Sequence, residues 1–156
     1  MTRLDRTDRE IVRLLQEDAR ISNKELAAAV GIAPSTCSER VRRLLDRGVL
    51  RGFHAEVDHG AMGIGLQAMI AVRLRRHAAE EVATFRAHAM ALEEVVGVYH
   101  LTGRNDFMVH VVVRDAEHLR DLAVSGLTTL PEVAHIETSL IFDYTARPTL
   151  PLLCDR

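Results

Sequence analysis

Pro34 to Arg47, PSTCSERVRRLLDR, decides the reading of this chain. Cys37, Val41, Leu44 and Leu45 recur at i, i+4, i+7 and i+8, the spacing of one helical stripe, while Ser35, Thr36, Glu39, Arg42 and Arg43 fall on the opposite side. A second short helical pattern runs from Ser22 to Val30 just upstream and stops at Gly31, leaving the turn Gly31-Ile32-Ala33 between the two. Two short helices joined by a tight glycine-containing turn predict a helix-turn-helix, whose second helix has the DNA major groove as its usual partner. A polar helix face bearing arginines is also the ordinary solvated face of a small bundle, so the surrounding sequence has to carry the choice.

Upstream, Thr7 and Glu10 read as a T-x-x-E capping box that starts a helix with Ile11, Leu14 and Leu15 inward. Ser22 and Glu25 form a second box, Gly31 suits the left-handed position that ends a helix, and Pro34 suits the first turn of the next. Three helices result. Downstream, Val49 to Val57 alternates, with Phe53, Ala55 and Val57 on one side, and is expected to be a strand. Asp58 to Gly65 holds three glycines in eight residues and is expected to be a hinge between two domains.

The remainder reads as strand, helix, strand, strand, helix, strand. Leu66 to Leu74 is the first strand, and Val82, Phe85, Ala89 and Leu92 carry the first helical stripe. Val95 to Thr102 and Phe107 to Arg114 form a hairpin about Gly103-Arg104-Asn105-Asp106. A helix over Asp115 to Leu127 places Leu119, Leu122 and Ala123 inward, and Val133 to Phe142 is the last strand. This order predicts an α+β chain: a three-helix DNA-binding domain with its linking strand (1–57), a hinge (58–65), a ferredoxin-like βαββαβ domain (66–144) and an extended arm (145–156). A ferredoxin-like sheet has helices on one face only. With Val98, His110, Val112 and Ile136 read on the other face, burial against a second copy is expected.

Composition narrows the classes further. The net charge of −2 conceals an asymmetry, +2 over residues 1–57 and −4 over 58–156, and the positive end carries the helix-turn-helix. So small an excess predicts tight DNA binding only by several domains acting together. No apolar run is long enough to cross a bilayer and the N-terminus lacks the apolar core of a signal peptide, so a cytoplasmic, nucleoid-associated protein is expected. Cys37 and Cys154 form no CxxC and have no paired histidines at ligand spacing, which indicates no metal and no disulfide framework. No cofactor is called for.

Leu4-Asp5, Asp8 and Ile11; Leu14 to Ser22; Glu25-Leu26-Ala27; Val30-Gly31; Arg40-Val41 and Leu45; Gly48-Val49-Leu50; and Leu101-Thr102-Gly103-Arg104-Asn105-Asp106-Phe107 follow one another in an order that resembles the Lrp/AsnC, or feast/famine, transcription regulators. The resemblance covers nearly the whole chain. It implies double-stranded DNA as one partner, an amino acid or related metabolite as another, and a homodimer assembling into a higher oligomer such as an octamer. It implies DNA contacts from Ser35, Thr36, Ser38, Glu39, Arg42 and Arg43. Arg40 matches a family arginine but lies beside the core stripe, where pairing with an acid inside the domain is equally open. The family usually has serine where this chain has Ala33, so either Ser35 caps the third helix or its end is frayed.

On residue types alone Gly103 to Asp106 is a hairpin turn. The resemblance implies instead that it lines the effector pocket, with Asp106 accepting the ammonium of a zwitterion, Thr102, Gly103 and Asn105 receiving the carboxylate, and Thr128 and Thr138 as further contacts. No catalytic residue is expected. Two alternatives remain at this level. One is an enzyme like the sirohaem decarboxylases built on the same plan, for which His100 and His110 lie on facing strands; the other is a metabolite-binding oligomer without DNA binding.

Overall fold

The computed structural model describes residues 4–147 and 149–153. Pro148 and Cys154, both read in the sequence, lie outside the described residues, as does the extreme N-terminus. The chain divides into two compact units, Met1–Glu56 with Thr145–Arg156, and Val57–Tyr144.

The first unit holds α1 (Arg6–Glu17), α2 (Asn23–Val30) and α3 (Pro34–Asp46). The start of α1 differs from expectation. Asp5, not Thr7, is the cap, its carboxylate accepting the Asp8 amide at 2.7 Å, and Glu10 turns to Arg13 at 2.7 Å. Aspartate outranks threonine as a cap, and the Arg13 guanidinium removes the second half of the expected box. The Ser22/Glu25 box at α2 is complete in both directions. Gly31 ends that helix at φ 69°, where a Cβ would be strained, and Pro34 opens α3. Ile11, Leu15, Leu26, Ala27, Cys37 and Leu44 make the core. The α3 stripe is narrower than its periodicity suggests, since Leu45 is 37% exposed.

Val49 to Val57 is not a strand. The Val49 and Leu50 amides both bond the Leu44 carbonyl, at 2.9 and 3.1 Å, so the segment begins as the end of α3. Residues 51–57 then run exposed and irregular, because a strand needs a ladder partner and none lies alongside among the described residues. The arm returns to this unit: the Leu150 amide donates to Gln16 Oε1 at 2.7 Å, and Leu152 lines a depression with Arg6, Arg9 and Arg13.

The second unit is a four-stranded antiparallel sheet in the order β2-β3-β1-β4, from β1 (Leu66–Leu74), β2 (Val95–His100), β3 (Phe107–Val113) and β4 (Val133–Leu140). Helices α4 (Ala79–Ala91) and α5 (Ala116–Asp121) cover one face. The sequence expectation of one helix to Leu127 is met with a change of winding: Leu122–Leu127 is π-helical. Gly126 sits against Leu92 and Leu122 there, and its carbonyl accepts from His88 Nε2 at 2.6 Å. Ile70, Val72, Val109 and Val111 meet Phe85, Ala89 and Leu119, and the Phe85 and Phe107 rings lie 4.7 Å apart.

The register corrects the reading of the outer face. His110 and Val112 are on it, opposite Met69 and Gln67. Val98 pairs with Val109 and Ile136 with Val72, so both face the helices. An irregularity between Val95 and Gly97 resets the alternation of β2, which period counting across it misses.

Candidate functional site

On α3 the six residues singled out in the sequence, Ser35, Thr36, Ser38, Glu39, Arg42 and Arg43, are all exposed. They share a helix whose position is fixed from behind. Arg40 Nη1 lies 2.6 Å from Asp5 Oδ2 and 2.7 Å from Asp8 Oδ1, and Asp8 is only 2% exposed. A carboxylate that deep requires its cation, so Arg40 pins α3 to α1 and is taken by the domain's interior. The Asp8 amide and the Arg40 guanidinium hold the Asp5 carboxyl below the ordinary range. Arg43 reaches Asp8 more loosely, at 3.3 Å, and Arg42 has no ion pair among the described residues.

At the start of α3, Ala33 is the cap residue and no side chain accepts a first-turn amide. Ser35 does not substitute for it. The end is nonetheless helical from Pro34, and Asn23 Nδ2 donates to the Pro34 carbonyl at 2.9 Å. Replacing Ala33 with serine should therefore raise the stability of this unit by about 1 kcal/mol, read as a higher midpoint in thermal unfolding.

In the second unit a cleft of about 580 Å³ lies between α4 and the β2–β3 turn. It brings together Thr102, Gly103 and Asp106 from the predicted set, and adds His100, which the sequence marks only for the enzyme alternative, and His77 and Arg86, which no local motif marks. Ala79, Val82, Ala83 and Leu101 supply apolar wall. Asn105, Thr128 and Thr138 do not line it: Thr128 Oγ1 donates to the Val124 carbonyl at 2.7 Å, and Thr138 is an exposed residue of β4.

Asp106 lines this cleft and is 8% exposed. β3 stops pairing at Phe107, and Asp106 carries the ladder one step further. Its amide donates to the Val72 carbonyl at 2.9 Å, and its Oδ2 accepts the Leu74 amide at 2.7 Å. The Leu74 amide needs that acceptor because it points toward β3, whose pairing with β1 has ended at Val72 and Phe107. Asp106 Oδ1 faces His77 Nδ1 at 2.6 Å. The cleft thus holds one carboxylate, one guanidinium and backbone and hydroxyl donors on an apolar wall, a charge pattern that matches a small zwitterion.

His100 and His110 are on paired strands, β2 and β3, as read from the sequence, but they lie on opposite faces of the sheet. His100 pairs with Phe107 and stacks on its ring at 4.9 Å, on the helix side. His110 is on the outer side, with Nε2 donating to Gln67 Oε1 at 3.0 Å, and burial together with nearby His59 lowers its pKa. They form no joint acid–base pair. Among the described residues there is no cluster of metal-ligating side chains and no helix long and apolar enough to cross a membrane.

The Lrp/AsnC ligand binding domain profile matches residues 67–149, and a winged helix-turn-helix DNA-binding profile matches residues 4–51. The chain is 49% identical over 141 residues to the HTH-type transcriptional regulator AldR of Mycolicibacterium smegmatis, covering 90% of this chain and 82% of that protein. It is 34% identical to the leucine-responsive regulatory protein of Salmonella typhimurium, over 90% of this chain and 85% of that one. Among solved structures, a transcriptional regulator of Neisseria meningitidis in complex with L-Met superposes with a TM-score of 0.87 at 30% identity, over 97% of this chain and 98% of that one.

Proposed function

This chain belongs to the Lrp/AsnC family of transcriptional regulators, with a helix-turn-helix unit and a ligand-binding unit, and from that premise we propose that it binds operator DNA through α3 and that a small amino acid, held in the Asp106 cleft, alters that binding. The observation that carries the effector half is that Asp106 and Arg86 line one cleft together with the apolar Ala79, Val82, Ala83 and Leu101. The ammonium of the ligand goes to Asp106 and its carboxylate to Arg86 and the Thr102–Gly103 backbone. For the DNA half, Ser35, Thr36, Ser38 and Glu39 lie in the first two turns of α3, where base edges are in reach, and Arg42 and Arg43 follow where phosphates are. The missing cap at Ala33 favours this use, since uncapped first-turn amides can donate to a phosphate oxygen.

Coupling between the halves would run through assembly. Met69, Ala71, Met108, Val112 and Tyr99 give the outer sheet face an apolar character that a second copy would cover, and ligand-dependent assembly would set how many helix-turn-helix units engage spaced half-sites together. No chemical step is required. The regulator names of the relatives and the separation of His100 from His110 both favour this reading over an enzyme.

The direct test is a mobility shift on DNA from upstream of the gene, across a salt series, with each of the twenty amino acids. A salt-sensitive complex altered by one of them is expected; no complex on this or random DNA at low salt would sink the DNA half. The role of Asp106 has its own test. Asp106→Ala strands the amide of Leu74, which is 3% exposed, and should cost about 1–3 kcal/mol of stability as well as the ligand response. Asp106→Asn keeps an acceptor for that amide and should lose the response while melting within a few degrees of the parent protein. Thermal unfolding alongside the mobility shift separates the two effects.

A further inference from the structure

The two oxygens of Asp106 differ in what their release would cost. Oδ2 holds the buried Leu74 amide just beyond the end of the β1–β3 ladder, and its release would leave that amide without an acceptor. Oδ1 holds only a side chain, that of His77, at 2.6 Å. The His77 side chain is 73% exposed while that of Asp106 is 11% exposed, so the imidazole lies over the carboxylate from the solvent side. His77 stands in the short connection between β1 and α4, outside both, where a rotamer change disturbs no core packing.

Resting on the amino-acid reading above, we propose that His77 occupies the ammonium position of the cleft in the empty protein, and that ligand binding requires the ligand's ammonium to displace it from Asp106 Oδ1. His77 is then a competitor built into the site, and the competition depends on pH. Imidazole changes charge over roughly pH 5–8. A protonated His77 is an ion-pair partner for Asp106 and must be displaced as a cation, whereas a neutral one offers only a single hydrogen bond. Ligand affinity accordingly falls as the pH is lowered. Because the imidazole is largely solvent-exposed, solvent screens the pair and the effect is modest, roughly threefold between pH 8 and pH 6.

The other charged or titratable groups that line the cleft with His77 and Asp106 give different signatures. Arg86, from α4, keeps its charge throughout this range and contributes no slope. His100, from β2, would if protonated attract the ligand's carboxylate and produce the opposite sign. Arg75 and Arg76 precede His77 in the chain but line a separate depression with Glu80, Glu81 and Glu132.

The test is calorimetric titration of the full-length protein with each of the twenty L-amino acids at pH 8 and pH 6, for the parent, His77→Ala, His77→Gln and His100→Gln. For any amino acid that binds, the parent should bind about threefold more weakly at pH 6. Both His77 variants should bind equally at the two pH values and at least as tightly as the parent at pH 6, and His100→Gln should retain the parent's dependence. If the His77 variants keep the pH dependence, or bind more weakly than the parent at pH 8, His77 is not a competitor and the proposal is overturned with the amino-acid site intact. If no amino acid binds the parent or either His77 variant at either pH, the amino-acid reading fails and takes the proposal with it.

Discussion

Arg42→Ala combined with Arg43→Ala should weaken operator binding on the order of 10- to 100-fold at moderate salt, and should flatten the dependence of log affinity on log salt by about 2 per helix-turn-helix unit engaged. The two arginines are expected to act unequally. Arg42 is exposed and has no ion pair among the described residues, so its charge is available to a phosphate without rearrangement. Arg43 lies 3.3 Å from Asp8 with 48% of its side chain exposed, so it must leave or share that carboxylate. Its single substitution should therefore show the smaller loss. Mobility shifts of the two single variants and the double variant across a salt series would check this, and an unchanged slope in the double variant would remove α3 as the phosphate-contacting element. Because neither side chain belongs to the core, thermal unfolding should move little in any of the three.

Arg40→Ala should have the converse profile. It removes the closest cation from Asp8, a carboxylate that is 2% exposed, and truncating one partner of a buried pair is strongly destabilising because the other charge stays behind. Two features temper the cost. Arg40 retains 24% of its side-chain surface in solvent, and Arg43 remains within reach of Asp8. The expected loss is about 2–3 kcal/mol in the first unit, at the lower margin for such pairs. Chemical or thermal denaturation would measure it, and the double change Arg40→Met with Asp8→Leu, which removes both charges and puts apolar side chains in their place, should recover most of it. DNA binding by Arg40→Ala should fall only as far as the unfolded fraction explains once temperature is lowered. A loss of affinity in fully folded protein would make Arg40 a contact residue after all.

Where punctuation residues act within one turn, the sequence read well. The Ser22/Glu25 box, Gly31 and Pro34 each settle their position by local chemistry, and together they give α2, the turn and α3. At α1 the same logic points to Thr7 and passes over Asp5, and it misleads because Arg13 claims Glu10, a contact that capping rules do not weigh. Alternation over Val49–Val57 specifies a side-chain pattern, but whether it becomes a strand depends on an edge to pair with, and that information is not local. Val98 was assigned to the wrong face because one irregular step near Val96 reverses every residue after it. In the cleft, the turn residues Thr102, Gly103 and Asp106 were legible through the family resemblance. His77 and Arg86 arrive from a connection and a helix about thirty and twenty residues earlier, so no spacing rule ties them to the turn.

The return of the arm to the first unit also bears on how this protein is made. Synthesis runs from the N-terminus, so α1, α2 and α3 leave the ribosome together, and helices with local contacts fold in microseconds to milliseconds. Residues 57–144 must then be translated before Leu150 and Leu152 exist to meet Gln16 and the Arg6–Arg13 depression. At ordinary elongation rates that interval is roughly 4 to 18 s. The three-helix bundle therefore spends its first seconds with that flank bare, and its last contacts form only after residues 57–144 have been made.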